Sequence, residues 1–116
     1  MDIEVIKMSE KEKIILWQKR KNKPSIEEIE ELTENGYDVN IYGAPLEFAD
    51  MLIKNINCPW RIYLSESDMD YITVDTYFRN HKIFKEYMKY KNYIHRIFIS
   101  RKEPEGYQYA GLFLRR

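Results

Sequence analysis

Cysteine, glycine, proline and alanine are all scarce in this 116-residue chain, and each scarcity excludes something. Cys58 is the only cysteine, so no intrachain disulfide can form and no cysteine-based zinc site can be assembled; a reducing, cytoplasmic location is expected. As a lone thiol without an evident base, Cys58 reads as a small packing residue. The four glycines, Gly36, Gly43, Gly106 and Gly111, complete neither the GxxxxGK[ST] nor the GxGxxG phosphate cradle. GxSxG and HExxH are absent as well, which removes the serine-hydrolase and zincin readings. Four prolines and no Gly/Ser-rich stretch leave nothing that reads as a linker, and no repeat recurs; residues 1–116 are expected to form a single globular domain. The longest apolar runs, Ile14 to Trp17 and Tyr109 to Leu114, fall far short of the roughly 20 residues a membrane helix requires. No membrane partner is therefore expected. The opening MDIEVIKMSEKEK sets acids and lysines where a secretory leader needs an apolar core, which favours an intracellular protein.

What is abundant points elsewhere. Ile, Lys, Asn, Tyr and Phe supply 49 residues and Ala only three, the pattern of A/T-rich codons, as expected of a virus or another mobile element. Formal net charge is zero, yet the signs are unevenly spread. Residues 1–57 hold eight Lys/Arg against twelve Asp/Glu, and residues 58–116 hold eleven against seven. From Thr76 onward ten basic residues face three acidic ones, and a local patch of this kind can hold a polyanion even on a neutral protein.

Hydrophobic periodicity outlines an α/β (α+β) domain, a mixed sheet with about three helices in the order ββαβαββαββ. DIEVIKM and KIILWQKR read as a hairpin around SEKE; for residues 9–22 the alternative is a helix capped by Ser9, which would scatter Ile14, Ile15, Leu16 and Trp17 around all its sides. KPSIEEIEELTENG is a clearer helix, with Ser25 as cap, Glu28 completing a capping box and Gly36 as the stop. YDVNIYG follows as a strand, and APLEFADMLIKNIN as a helix with Pro45 in its first turn. WRIYL and YITVDTYF form a second hairpin around the acidic SESDMD. HKIFKEYMKYKNY is then helical, with Ile83, Phe84, Tyr87, Met88 and Tyr90 on one broad side and Lys82, Lys85 and Lys89 opposite. IHRIFISRK and YQYAGLFLRR end the chain as strands around an EPEG turn. If YQYAGLFL were an unpaired outer strand, a second copy of the chain could cover it, making a homodimer.

The stretch Arg79 to Lys102 holds eight lysines and arginines, two histidines and five Tyr/Phe against one acid, Glu86. Cations neutralise phosphates and exposed rings stack on bases, so this stretch fits nucleic acid, with Arg79, Lys82, Lys85, Lys89, Arg96 and Arg101 as the contact residues. The competing reading is an ordinary solvated helix face. WQKRKNK supplies a second basic cluster, Lys19, Arg20, Lys21 and Lys23 beside Trp17, which merges with the first only if the fold brings them together. Asp68 and Asp70 are the best Mg²⁺ candidates, though aspartates in a turn ordinarily bond local backbone. His81 and His95, fourteen residues apart, could serve as an acid and base pair. No cofactor is implied, no metal site is assigned, and a metal-dependent nuclease ranks last. The preferred reading is a small nucleic-acid-binding protein that does not catalyse. The alternative is a protein-interaction module, an inhibitor or adaptor of a host protein, whose tyrosines and acidic first helix (Glu27, Glu28, Glu30, Glu31, Glu34) would address a basic partner.

Overall fold

The computed structural model describes residues 11–64, 69–71 and 78–115. In chain order these form β1 (Glu12–Leu16), α1 (Ile26–Glu34), β2 (Asp38–Tyr42), α2 (Leu46–Asn55), β3 (Trp60–Leu64), β4 (Met69–Tyr71), α3 (Lys82–Tyr90), β5 (Arg96–Ile99), β6 (Lys102–Glu103), β7 (Gly106–Tyr107) and β8 (Ala110–Leu114). Six strands make one mixed sheet in the order β1-β2-β5-β8-β3-β4, and β6-β7 form a separate hairpin at the EPEG turn. The mixed α+β architecture and three helices follow the expected pattern. The expected strand DIEVIKM and most of YITVDTYF lie outside the described residues. KIILWQKR is shorter as a strand than its apolar run suggests, because a 3₁₀ turn at Trp17–Lys19 ends β1 at Leu16.

Pairing directions set the layering. β1 runs parallel to β2 and β3 parallel to β8, while β5 lies antiparallel between β2 and β8. The connections β1 to β2, β2 to β3 and β4 to β5 are thus all parallel crossovers, each carrying one helix. The last travels back across the sheet along reversed strands, so the right-handed rule puts its helix on the same side as the other two. Strand alternation agrees: Ile15, Val39, Ile41, Ile97, Ile99, Ile62 and Leu112 are buried on the helix-bearing face and form one cluster with Ile29, Phe48, Ala49, Leu52, Phe84 and Tyr87 of the helices.

Local sequence explains the helix ends. Ser25 Oγ accepts from the Glu28 amide at 3.1 Å, and Gly36, at φ +93°, closes α1 with Tyr37 N–H donating to Leu32 C=O and Gly36 N–H to Thr33 C=O. The Glu28 carboxylate does not complete the expected capping box; it is taken by the Arg20 guanidinium in a two-pronged pair at 2.9 and 3.1 Å. Pro45 is the cap of α2 and not its first turn, and His81 caps α3 by accepting from the Ile83 amide at 3.2 Å. β8 is a central strand, bonded to β5 and β3, so the sheet edge considered for YQYAGLFL does not exist there. No described helix is long and apolar enough to cross a membrane.

Candidate nucleic-acid interface

The registers Leu16 with Tyr42, Tyr42 with Arg96, Arg96 with Phe113 and Tyr63 with Phe113 align the carboxyl ends of β1, β2, β8 and β3 with the start of β5. One rim of the sheet therefore gathers the segments after β1, after β2, before β5 and after β8. In open α/β sheets, ligands bind outside the carboxyl ends of the strands. The backbone fixes two of these segments to each other. Gly43, at φ +79°, adopts a turn that L residues rarely enter, and its amide donates to the carbonyls of Ile94 and His95 at 3.1 and 3.2 Å. Ile94 N–H returns a bond to Ala44 C=O at 2.8 Å, and Pro45 bridges Tyr93.

The result is a cleft of about 350 Å³ lined by Leu16, Trp17, Lys19, Tyr42, Tyr93 and His95, with Gln18 and Gly43 beside them. Among the described residues no carboxylate lines it. The edge of the His95 ring meets Tyr42 at 5.8 Å between centroids, and Tyr93 is exposed. Burial holds the His95 imidazole below its usual pKa of 6.5, and the positive charges of Arg115, Arg96 and Lys91 depress it further. Proton affinity at this point thus registers a positive field from three cations drawn from three segments.

Arg96 is the best anchored of these cations. Its guanidinium lies 3.9 Å from the Phe113 ring centroid and donates to Asn40 Oδ1 at 2.6 Å, while Asn40 Nδ2 donates to the Glu12 carboxylate. This relay occupies the sheet face opposite the helices, where Tyr63 stacks on Phe113 at 4.8 Å and Tyr109 meets both Tyr63 and Phe98. These rings are half-buried.

The six contact residues expected from sequence separate into three places. Arg96 stands on the rim. Lys82, Lys85 and Lys89 are exposed on α3 in the helix layer, and Arg79 is exposed in the 3₁₀ turn before it, 3.7 Å from Asp50. Arg101 follows the far end of β5, where its side chain pairs with Glu103 at 3.3 Å and its amide donates to Asp38 at 2.7 Å. The second basic cluster is divided too. Arg20 is committed to Glu28, and Lys23 closes its own loop by donating to the carbonyls of Trp17 and Arg20, leaving Lys19 in the cleft and Lys21 exposed. Tyr42, Tyr93 and Arg115 are rim residues that sequence did not single out. A hint was present in Tyr93 and His95, which flank one isoleucine just before a strand.

His81 and His95 bracket α3, whose nine residues span about 13 Å at 1.5 Å per residue. Asp68 lies outside the described residues, and among the described residues no three His, Cys, Asp or Glu side chains gather where a metal could be held. Burial pushes the Cys58 thiol up to about 11, which keeps it protonated. The chain matches no protein-family model, no curated protein and no solved structure.

Proposed function

We propose that this protein binds single-stranded nucleic acid at the carboxyl-end rim. On this reading Lys19, Lys91, Arg96 and Arg115 neutralise phosphates, and Tyr93 and Tyr42 offer ring faces to bases. The supporting observation is that residues from two basic stretches far apart in sequence, Trp17 and Lys19 of one and Tyr93 and His95 of the other, line one aromatic cleft, and that the positive charges of Arg115, Arg96 and Lys91 add to burial in lowering the His95 pKa. A stacked base contributes roughly 1 to 3 kcal/mol, and single strands are favoured because duplex bases present no free ring faces. The lysine face of α3 lies beside the rim and adds attraction at longer range.

The test is fluorescence anisotropy of nuclease-treated protein with labelled single-stranded DNA, duplex DNA and RNA across a salt series. Four phosphate contacts on a single strand give a slope near −3 in log K against log salt, or roughly a 50-fold loss between ~50 and ~200 mM. Replacing Lys19 and Arg115 with Glu should remove most of the affinity and leave the unfolding temperature nearly unchanged. The same exchange at Lys82, Lys85 and Lys89 should retain most of it; abolition there would move the site to α3. Absence of binding at low salt would reject the reading.

A second reading, a module for a host protein partner, is favoured by the aromatic array of Tyr63, Phe98, Tyr109 and Phe113 on the helix-free face, since aromatic residues are enriched at protein interfaces. Capture of one protein that survives nuclease treatment and is lost on Tyr109→Ala would select it.

A further inference from the structure

A second and larger cleft opens on the helix side of the same rim. A half-open cleft of about 650 Å³ lies between the end of β3, α3 and the residue after β8, a size typical of small-molecule sites. Leu64, Ile83 and the rings of Tyr87 and Tyr90 form its walls, and Glu86, Lys91 and Arg115 stand at its mouth. The walls are apolar, so water gains little there, and Tyr90 stands 80% exposed where an unoccupied helix face would be expected to carry a polar residue.

Tyr87 is the informative residue. Its side chain belongs to the core and is 9% exposed, yet its hydroxyl has no hydrogen-bond partner. A buried hydroxyl left unpaired is rare in folded proteins. Phenylalanine would fill the same space without that cost, so the hydroxyl is a group that lacks its counterpart. The Arg115 backbone approaches as a weak hydrogen-bonding neighbour that lowers the hydroxyl's pKa against the effect of burial, without the geometry of a full hydrogen bond, and the Lys91 ammonium is 5.8 Å from the Tyr87 ring centroid and donates to the Arg115 carbonyl at 3.3 Å. Tyr87, Lys91 and Arg115 thus border the same, otherwise apolar cavity. Among the described residues neither cation is ion-paired, and Lys91 and Arg115 stand against one lining carboxylate, Glu86.

We propose that this cleft binds a small amphiphilic monoanion, a carboxylate on a hydrocarbon body. The body lies against Leu64, Ile83 and the tyrosine rings; the carboxylate accepts from the Tyr87 hydroxyl and pairs with Lys91 and Arg115. A nucleotide fits less well, because its sugar hydroxyls and base edge would meet walls with no polar partners. The site shares Lys91 and Arg115 with the neighbouring rim, so a bound carboxylate and a phosphate backbone would compete for them, but the cleft's apolar walls and the Tyr87 hydroxyl belong to it alone and its test does not require that nucleic acid binds.

The experiment is calorimetric titration of the full chain with decanoate below its micelle concentration, with decanol as the neutral counterpart, alongside thermal unfolding. Decanoate should bind one equivalent and raise the unfolding temperature, and decanol should bind at least about tenfold more weakly. Tyr87→Phe should leave the unliganded unfolding temperature unchanged or higher and weaken decanoate about tenfold or more, as loss of a hydrogen bond to a charged group does. Arg115→Gln, at an exposed position, should weaken it similarly. Equal binding of decanoate and decanol, uptake of many equivalents, unaltered affinity in both variants, or no saturable binding would each overturn the proposal. So would a lower unfolding temperature for unliganded Tyr87→Phe, which would show that the hydroxyl already has a partner within the chain.

Discussion

Replacing Asn40 with alanine tests whether the rim arginine is held by a specific relay or merely rests on the sheet. Asn40 is 2% exposed although it lies on the helix-free face, and its amide bridges two opposite charges: it accepts from Arg96 at 2.6 Å and donates to the Glu12 carboxylate. A hydrogen bond to a charged group contributes roughly 1.5 to 3 kcal/mol, and alanine removes two. Glu12 is exposed and Arg96 half-buried with its guanidinium still stacked on Phe113, so water and the ring recover part of the loss. The expected destabilisation is about 2 to 3 kcal/mol, or about 8 to 12 °C in unfolding temperature for a domain of this size. Urea unfolding with an unchanged m-value is the assay, and a cycle with Glu12→Gln should show a coupling of about 1 kcal/mol. Nucleic-acid affinity should fall with it, since Arg96 loses its orientation. An Asn40→Ala midpoint within about 0.5 kcal/mol of the parent would mean that water replaces the amide freely and that the relay does not fix Arg96.

Other expectations follow from the same contacts. His95 binds its proton less readily folded than unfolded, so below about pH 6.5 the unfolded chain takes up more protons and stability falls with pH until the folded imidazole is protonated. His95→Gln should flatten that stretch of a chemical-denaturation pH series. A phosphate backbone at the rim would raise the His95 pKa, so affinity should increase on acidification through the same range; an affinity that falls instead would place the strand elsewhere. Cys58 should react with a thiol reagent at pH 8 at least about a hundredfold more slowly in the native protein than in urea, and equal rates would contradict its burial. Gly111→Ala would set a methyl 3.0 Å from the Tyr63 ring and 3.2 Å from the Tyr109 hydroxyl, on the strand between β5 and β3. A destabilisation of about 1 to 3 kcal/mol by urea titration is expected, and a neutral result would show that both rings swing aside freely.

Local chemistry was readable from the chain where it is carried by neighbours in sequence. Ser25 and Gly36 bracket α1, and alternation in WRIYL separates Trp60, Ile62 and Leu64 from Arg61 and Tyr63. The lysine face of α3 was equally plain, although Tyr90, assigned to its apolar side, faces solvent because the helix ends there. Alternation reveals which face a residue joins but not which strand lies alongside. The parallel pairing of β1 with β2, the central place of β8, and the meeting of Lys19 with His95 all depend on that second kind of information. For the same reason Arg101, close to Arg96 in sequence, belongs with it in charge but sits at the other end of β5. Glu28 shows a further limit: a capping box and an ion pair compete for one carboxylate, and a guanidinium that reaches it with two donors wins.

The strand order has a consequence for how the protein is made. The two strands at the centre of the sheet, β5 and β8, are drawn from residues 96–114, whereas β1 and β2 on one flank and β3 and β4 on the other are translated earlier. At synthesis rates of roughly 5 to 20 residues per second, the flanks wait several seconds with their inner edges unpaired before the segment that joins them emerges. Each flank is too small to bury a core alone. Folding is thereby deferred until β8 clears the ribosome, and a chain cut short before Ala110 would lose the keystone of the sheet, leaving the hydrogen-bonding edges of β5 and β3 open to other unfinished chains.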